Sequence, residues 1–232
     1  MSFFLAMWQL VTNYWPFFLQ GVRATLIIAL FTVIFGLILG IVLTLMRLSR
    51  FRLLRWPANA YVEFFRDTPL LVQLMFIFYG LPMVGIQFPD VSFIPDFSRF
   101  MAGIVAMSMN SCAYVSEIIR AGIQAVDDGQ MEAARSIGFT HAQSMKLVVL
   151  PQAVRNILPA LGNEFVTDIK ESSIVSVIGI SDLMFNTNSV IAVTYQSLPA
   201  IAITAIIYFI MTFVTSRLVA LLEKRMNHAR RS

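Results

Sequence analysis

Three acidic residues lie close together in a largely apolar stretch of the 232-residue chain. Glu164, Asp168 and Glu171 are spaced so that a helix would place them within a narrow arc on one face. At membrane depth carboxylates must face protein or water, and together they would favour a cationic group such as an amino-acid ammonium. The alternative is that they pair with basic side chains and hold the helices together, a role favoured for Asp168. The basic candidates are Arg155, Lys170 and Arg66.

Arg66 is a second candidate for binding, because its guanidinium presents a fork of donors that can hold a carboxylate bidentately. It lies beside Asp67, Thr68 and Pro69, near the start of an apolar segment. The alternative is an arginine that pairs with Asp67 or extends its charged head to the membrane boundary. The position of Arg66 near the inner face favours this alternative.

Several other kinds of chemistry lack the residues that they need. His141 and His228 are too few and too far apart for a metal site. The sequence contains no GxxxxGK[ST] loop for nucleotide phosphates, and no serine or cysteine nucleophile with a partnered base. We therefore expect no enzymatic activity, no metal, no cofactor and no nucleic acid partner.

The elements that position these residues are membrane helices. Hydrophobic residues make up 58% of the chain and charged residues only 13%, whereas a soluble domain carries about a quarter charged residues. Residues 24–46, 68–89 and 183–216 contain no charged side chain. Because about 20 apolar residues cross the hydrocarbon core, each of these runs is long enough to span a membrane.

Five spans are predicted, and with them an all-α membrane protein that forms a single domain over residues 1–232. The density of charge in the fourth span requires that it be lined by protein or water. In the first span, Gly36 and Gly40 form a GxxxG pair that permits close approach of another helix. The predicted spans cover residues 21–46, 59–81, 99–122, 151–174 and 198–222.

The distribution of charge predicts the orientation of the chain. Residues 47–55 contain four arginines and no acidic residue, and residues 224–231 contain four basic residues. The loop after the second span instead carries two aspartates and one arginine between positions 90 and 99. By the positive-inside rule, the amino terminus is outside and the carboxyl terminus inside, which requires an odd number of spans.

The segment at about 123–150, between the third and fourth spans, reads as an ordered helix–turn–helix. Asp127 and Asp128 can cap a helix start, a short helix follows over residues 131–138, and Gly138 can end it in a left-handed conformation. A second short helix covers about residues 140–147. A cytoplasmic loop built in this way usually docks on a partner.

This segment carries the motif of a known family. Glu132-Ala133-Ala134, with Gly138 four residues later and Leu150-Pro151 beyond, resembles the EAA loop of ABC importer permeases with the MetI-like fold; Val148 replaces the usual isoleucine. Residues 63–73, EFFRDTPLLVQ, and residues 158–165, LPALGNEF, resemble the polar-amino-acid branch. The resemblance covers about residues 17–225.

The resemblance implies specific roles for these residues. The short EAA helix would sit in a groove of a cytoplasmic ATP-binding subunit, so Glu132, Ala133, Ala134 and Gly138 are the predicted coupling residues. In similar permeases, acidic residues at the positions of Glu164 and Glu171 contribute to a substrate site. The complete predicted substrate site is Glu164, Glu171, Arg66 and Asn163.

The resemblance also implies the partners and the location. The chain would pair with an identical or similar permease in the lipid of a bacterial cytoplasmic membrane. Two cytoplasmic ATP-binding subunits would drive alternating access, and an extracytoplasmic binding protein would deliver a polar amino acid. The alternatives are a secondary transporter, for which we find no internal repeat, and a scaffold, which leaves the intramembrane carboxylates unexplained.

The predicted orientation can be tested by labelling introduced cysteines from each side of intact cells. A cysteine at position 228 should react only after the membrane is opened, because the basic tail is predicted to be inside. Labelling of position 228 from outside intact cells would contradict the five-span topology.

Overall fold

The computed structural model describes residues 2–91 and 96–228, with side chains up to residue 224. Arg230 and Arg231 of the basic tail therefore lie outside the described residues. The described chain is helical almost throughout and contains no strand, which confirms the all-α fold class. The helices are α1 (Phe3–Leu48), α2 (Arg52–Asp67), α3 (Leu70–Met83), α4 (Phe97–Gln124), α5 (Asp128–Ser136), α6 (His141–Ile178), α7 (Leu183–Thr194) and α8 (Ser197–His228).

Two predicted boundaries are wrong. The first helix begins at Phe3 instead of near residue 21 and has 46 residues, because residues 3–22 carry no charge and the helix continues through Pro16. At 1.5 Å per residue it is about 69 Å long, more than twice the hydrocarbon thickness. The arginine-rich region predicted as a loop is mostly helical as well, because only residues 49–51 separate α1 from α2.

The second predicted span, residues 59–81, is not one continuous helix. It breaks between α2 and α3, where Thr68 adopts an extended conformation with φ −112° and ψ 144°. The cause is Pro69, which has no backbone N–H and sterically drives the preceding residue out of the helical region. The five predicted spans therefore correspond to α1, α2 with α3, α4, α6 and α8, with α7 as an additional helix.

By length and composition, α1, α4 and the Ser197–Lys224 part of α8 can each cross a membrane. The helices α6 and α7 satisfy the same criteria together, with a bend of 51° between them. The helix α3 is apolar but shorter than a span. The described residues thus contain three helices that are long and apolar enough to cross a membrane, or four if the bent pair forms one span. The remaining predicted span is the segment that is split into α2 and α3.

The helices α1 and α4 pack closely along the predicted glycine pair, which confirms the expectation that Gly36 and Gly40 admit another helix. A Cβ atom built at Gly36 would lie 2.9 Å from Ser111 Oγ, and one at Gly40 would lie 2.6 Å from Val115 Cγ1. Both separations are too short for a real Cβ contact. The missing side chains therefore allow α4 to approach α1 and fix where Ser111 lies.

The break between α2 and α3 is held by two buried amide side chains. Gln73 Nε2 donates to the Phe65 and Thr68 carbonyl oxygens at 2.9 and 3.0 Å. Asn110 Nδ2 of α4 donates to the same Phe65 oxygen at 3.2 Å and to Gln73 Oε1 at 2.9 Å. These bonds satisfy carbonyl groups that the end of α2 leaves without a partner, as a helix break at membrane depth requires.

Replacing Gln73 by Leu should therefore destabilise the protein by about 1–3 kcal/mol, because the Thr68 carbonyl would lose its side-chain donor and Asn110 would lose an acceptor. The midpoint of thermal unfolding in detergent measures the effect. Gln152→Leu is the matched control, since Gln152 also donates two hydrogen bonds but at a more exposed position of α6. Equal midpoints for the two variants would contradict a capping role for Gln73.

Candidate functional site

The centre of the candidate site is a pair of carboxylates where α6 packs against α4. The Ser111 hydroxyl lies 3.4 Å from Glu164 Oε1 and 3.4 Å from Asp168 Oδ2. A hydroxyl has one proton, so Ser111 donates to one carboxylate at a time. Asp168 is buried and Glu164 is partly buried. Two acidic groups thus converge on one oxygen in a site largely removed from water.

No basic side chain pairs with these carboxylates in the described residues. The ion pairs there, at 4.0 Å or less, join Glu117 to three arginines and Asp96 to Arg99. Within the described chain no ion pair joins Glu164, Asp168 or Glu171 to Arg155, Lys170 or Arg66, although Lys170 interacts electrostatically with the neighbouring Glu171. A cation that enters beside Glu164 and Asp168 would meet carboxyl groups that have no ion-pair partner among the described residues.

Glu171 lies apart from the two carboxylates that share Ser111. Its side chain is exposed near the end of the α-helical part of α6. It still interacts electrostatically with Glu164 and Asp168. The predicted arc therefore divides into a buried pair, Glu164 and Asp168, and a third carboxylate at its edge.

Arg66 does not reach the carboxylate pair, and within the described residues it forms no ion pair with Asp67. Its Nη1 lies 4.0 Å from Glu117 Oε2, and its guanidinium carbon lies 5.8 Å from the centre of the Tyr114 ring. Tyr114 in turn interacts electrostatically with Arg66, Glu164 and Glu171. Tyr114 thus interacts electrostatically both with Arg66 and with two of the acidic residues.

The structure does not bring Asn163 into the cluster. Its side chain is exposed, and in the described chain no hydrogen bond joins it to another residue. One residue before Glu164, it lies about 100° around the helix from it. A contact of Asn163 with substrate therefore stays a prediction.

Glu117 is the centre of a charged cluster near the end of α4. Its Oε2 lies 3.0 Å from Arg47 Nη1 of α1, and both of its oxygens accept from Arg120 one turn further along α4. Arg47 Nε also donates to Asn59 Oδ1 of α2 at 3.0 Å. The cluster therefore ties α1, α2 and α4 together at the end that is predicted to face the cytoplasm.

The predicted coupling helix is present as α5, and the residues predicted to start and end it lie at its two ends. Asp127 caps it by accepting from the Gly129 backbone N–H at 2.8 Å. It ends at Ser136, and Gly138 two residues later has a φ of +97°, which favours glycine. The Phe139 N–H bonds back to the Ala134 carbonyl at 3.2 Å. Thr140 and Gln143 then form a capping box that starts α6.

The two alanines of the EAA motif face different ways. Ala134 is buried within the chain, whereas Glu132 and Ala133 are exposed. The small size of Ala134 therefore serves packing inside this chain, and Ala133 is the alanine available for close contact with a partner. The exposed face of α5 also carries Ile137, which is 75% exposed at the end of the helix.

Sequence reasoning missed Ser111 and Tyr114, which flank the carboxylates, and Gln73 and Asn110, which hold the helix break. One signal could have identified some of them. The third span contains Ser108, Asn110 and Ser111 within four residues of an otherwise apolar run, and polar side chains at membrane depth mark functional or structural contacts.

Comparison with known proteins identifies relatives over nearly the whole chain. The family described as "Binding-protein-dependent transport system inner membrane component" matches residues 32–228. The arginine transport system permease protein ArtQ of Bacillus subtilis is 44% identical, over 91% of this chain and 93% of that protein. A putative glutamine transport system permease protein of Rickettsia conorii is 42% identical over 95% of this chain and 99% of the relative.

Solved structures of ABC transporters also match this chain. A crystal structure of an amino acid ABC transporter with histidines matches with a TM-score of 0.86 and 46% identity, covering 93% of this chain and 96% of that one. An inward-facing methionine ABC transporter, MetNI, matches with a TM-score of 0.60 at 20% identity over 95% and 99% of the two chains. The second likeness establishes the fold alone.

The turn at Gly138 can be tested by Gly138→Val. No atom lies within 4 Å of a Cβ built there, so the expected effect is backbone strain, about 1–3 kcal/mol for a side chain at positive φ. We expect a lower ratio of substrate uptake to ATP hydrolysis in reconstituted vesicles, because the strain falls between α5 and α6.

Gly85→Val is the matched control, since Gly85 has a φ of +86° and equally open surroundings in the segment after α3. That variant should keep the normal ratio of uptake to hydrolysis. Normal assembly together with a normal ratio of uptake to hydrolysis in Gly138→Val would refute a coupling role for the turn.

Proposed function

Because the chain belongs to the family of binding-protein-dependent transport system inner membrane components, we propose that its carboxylate pair binds the cationic group of a transported amino acid. The chain is a multi-pass inner membrane protein and the permease component of an amino acid ABC importer. What remains to be assigned is the substrate, the residues that contact it, and the arrangement of the partners.

The observation that carries the proposal is the unpaired acidic site. Glu164 and Asp168 both lie 3.4 Å from Ser111 Oγ, and no basic side chain of the described residues forms an ion pair with either. Placing two carboxylates side by side in a low dielectric is costly through desolvation and mutual repulsion. A bound ammonium or guanidinium would remove much of this cost, so the free energy released would favour cationic substrates.

The number of carboxylates favours a basic amino acid. An α-ammonium carries one charge and can be neutralised by one carboxylate, whereas Glu164, Asp168 and Glu171 provide three. The ArtQ relative is named for arginine and the Rickettsia relative for glutamine. We take a basic amino acid of the arginine type as the substrate, with a neutral polar amino acid such as glutamine as the competing candidate.

The helix α6 supplies a mechanical connection between this site and the coupling helix. It begins at His141, directly after the turn that ends α5, and reaches Glu164 about 35 Å further along if its rise is 1.5 Å per residue. Gln152 Nε2 also donates to Gln130 Oε1 of α5 at 3.1 Å. A displacement of α5 by an ATP-binding subunit would therefore be passed along a helical segment instead of being absorbed by a loop.

The proposed assembly contains two permeases, identical or similar, with two ATP-binding subunits inside and an amino-acid-binding protein outside. Binding and hydrolysis of ATP would shift the permease pair between outward- and inward-facing states. The basic residues 47–55, before the second predicted span, support the orientation with the amino terminus outside and the carboxyl terminus in the cytoplasm.

Arg66 keeps two proposed roles. Its partial contact with Glu117 and Tyr114 supports a structural role, whereas its 41% exposed side chain leaves the guanidinium accessible to a substrate carboxylate. Arg66→Lys would keep the charge but lose the bidentate fork. Weaker substrate affinity with unchanged thermal stability would support substrate binding, and a lower unfolding midpoint with normal affinity would support the structural role.

Replacing Glu164 or Glu171 by Gln should reduce uptake while the assembled complex stays stable, because Gln keeps the size but removes the charge. We expect the larger loss for Glu164, which is the more buried of the two. Transport of an amino acid panel in vesicles and thermal unfolding in detergent measure the two properties. Glu63→Gln is the matched control, since Glu63 is exposed on α2.

Each outcome has a distinct meaning. A structural role predicts that stability falls together with uptake, because removing the charge would disturb contacts that hold the helices together. Normal uptake by stable Glu164→Gln and Glu171→Gln complexes would remove both residues from the site. If the wild-type complex prefers a neutral amino acid over a basic one, the proposed substrate class is wrong even if both residues matter.

A further inference from the structure

The four arginines between the first two predicted spans have different environments. Arg47 is 12% exposed in its side chain and is paired with Glu117. The other three, Arg50, Arg52 and Arg55, are exposed. No ion pair involves any of these three in the part of the chain that the structure describes. Three positive charges without an ion-pair partner among the described residues therefore lie around the start of α2. The proposed substrate site does not include them.

Two of these arginines line a cleft. A cavity of about 400 Å³ is bounded by Arg52, Arg55, Trp56 and Asn59 on the first two turns of α2. The guanidinium and indole groups are hydrogen-bond donors without an acceptor function. The acceptor oxygen of Asn59 is occupied by Arg47 Nε at 3.0 Å. The cleft thus presents donors and positive charge, which suit an anionic group rich in acceptor oxygens.

Large apolar side chains surround the same arginines. Phe51, Leu53 and Trp56 are 66%, 90% and 76% exposed. Arginine beside exposed tryptophan and aliphatic residues is typical of a helix that lies at a membrane interface, where indole rings are enriched. The cleft precedes the segment predicted to enter the bilayer at about residue 59, so it lies where phospholipid head groups are expected.

We propose that this cleft binds the head group of an anionic phospholipid in the inner leaflet. Arg52 and Arg55 would contact the phosphate oxygens, Trp56 would lie at the level of the glycerol backbone, and Leu53 and Phe51 would contact the acyl chains. Charge complementarity and the exposed apolar side chains together favour a lipid, because a small soluble anion would not contact the apolar side chains. This proposal is independent of the identity of the transported amino acid.

The test uses the assembled transporter in neutral detergent, titrated with phosphatidylglycerol or with phosphatidylcholine of the same acyl chains. Native mass spectrometry counts the lipids that each complex retains. Phosphatidylglycerol should bind at lower concentration than phosphatidylcholine. Arg52→Gln with Arg55→Gln should weaken phosphatidylglycerol binding about 25-fold, since each basic residue near an anionic surface contributes about a fivefold factor.

Two further variants make the result specific. Arg52→Lys with Arg55→Lys should retain most of the affinity, because the charge stays. Lys146→Gln with Arg155→Gln removes two other exposed basic charges and should leave phosphatidylglycerol binding unchanged. Equal affinity for the two lipids, or an equal loss in this second pair of substitutions, would overturn the proposal.

The competing occupant is the ATP-binding subunit. If the glutamine variant loses that subunit during purification while its phosphatidylglycerol affinity stays normal, the surface is a protein contact and the lipid proposal is wrong. If the subunit is retained and phosphatidylglycerol affinity falls, the lipid site is supported.

Discussion

Polar groups inside a bundle of membrane helices cannot form hydrogen bonds with bulk water, so each needs a partner in the protein or in a ligand. In this chain one helix, α4, satisfies much of that need. Asn110 bonds the broken end of α2, Ser111 contacts the carboxylates of α6, and Glu117 pairs with arginines of α1, α2 and α4 itself. The positions of the other helices depend on these contacts, because moving α4 would leave several buried groups without partners.

The same constraint distinguishes the carboxylate pair from the rest of the bundle. The helix break and the Glu117 cluster have their partners within the chain, whereas Glu164 and Asp168 share the Ser111 hydroxyl and have no ion pair among the residues that the structure describes. An acidic site kept without a neutralising cation is expensive, and such sites in membrane proteins mark ligand or ion pathways. Under the proposed function, the transported amino acid would itself supply the missing positive charge.

The helix α6 connects the short helix α5 to the acidic residues. Its first turn follows the EAA loop, and its later turns carry the acidic residues. The turn between α5 and α6 is defined by a glycine at positive φ and a capping box, both of which have specific sequence requirements. Under the proposed function, a rigid connection of this kind would allow a movement of α5 to alter the surroundings of the acidic residues.

The sequence by itself determined the membrane class, the helical fold, the short helix and turn before α6, and the acidic helix, because these follow from apolar run lengths, capping residues and a 3.6-residue period. It did not determine which side chains of different helices meet. Ser111 joins Glu164 to Asp168, Glu117 and not Asp67 lies near Arg66, and Gln73 and Asn110 bridge the break at Pro69. These contacts join residues 8 to 57 positions apart. Such contacts depend on helix rotation and separation, which here are set by glycines that admit α4 to α1. Only the tertiary structure decides them, since the periodicity of a helix fixes its own faces but not the partner that each face contacts.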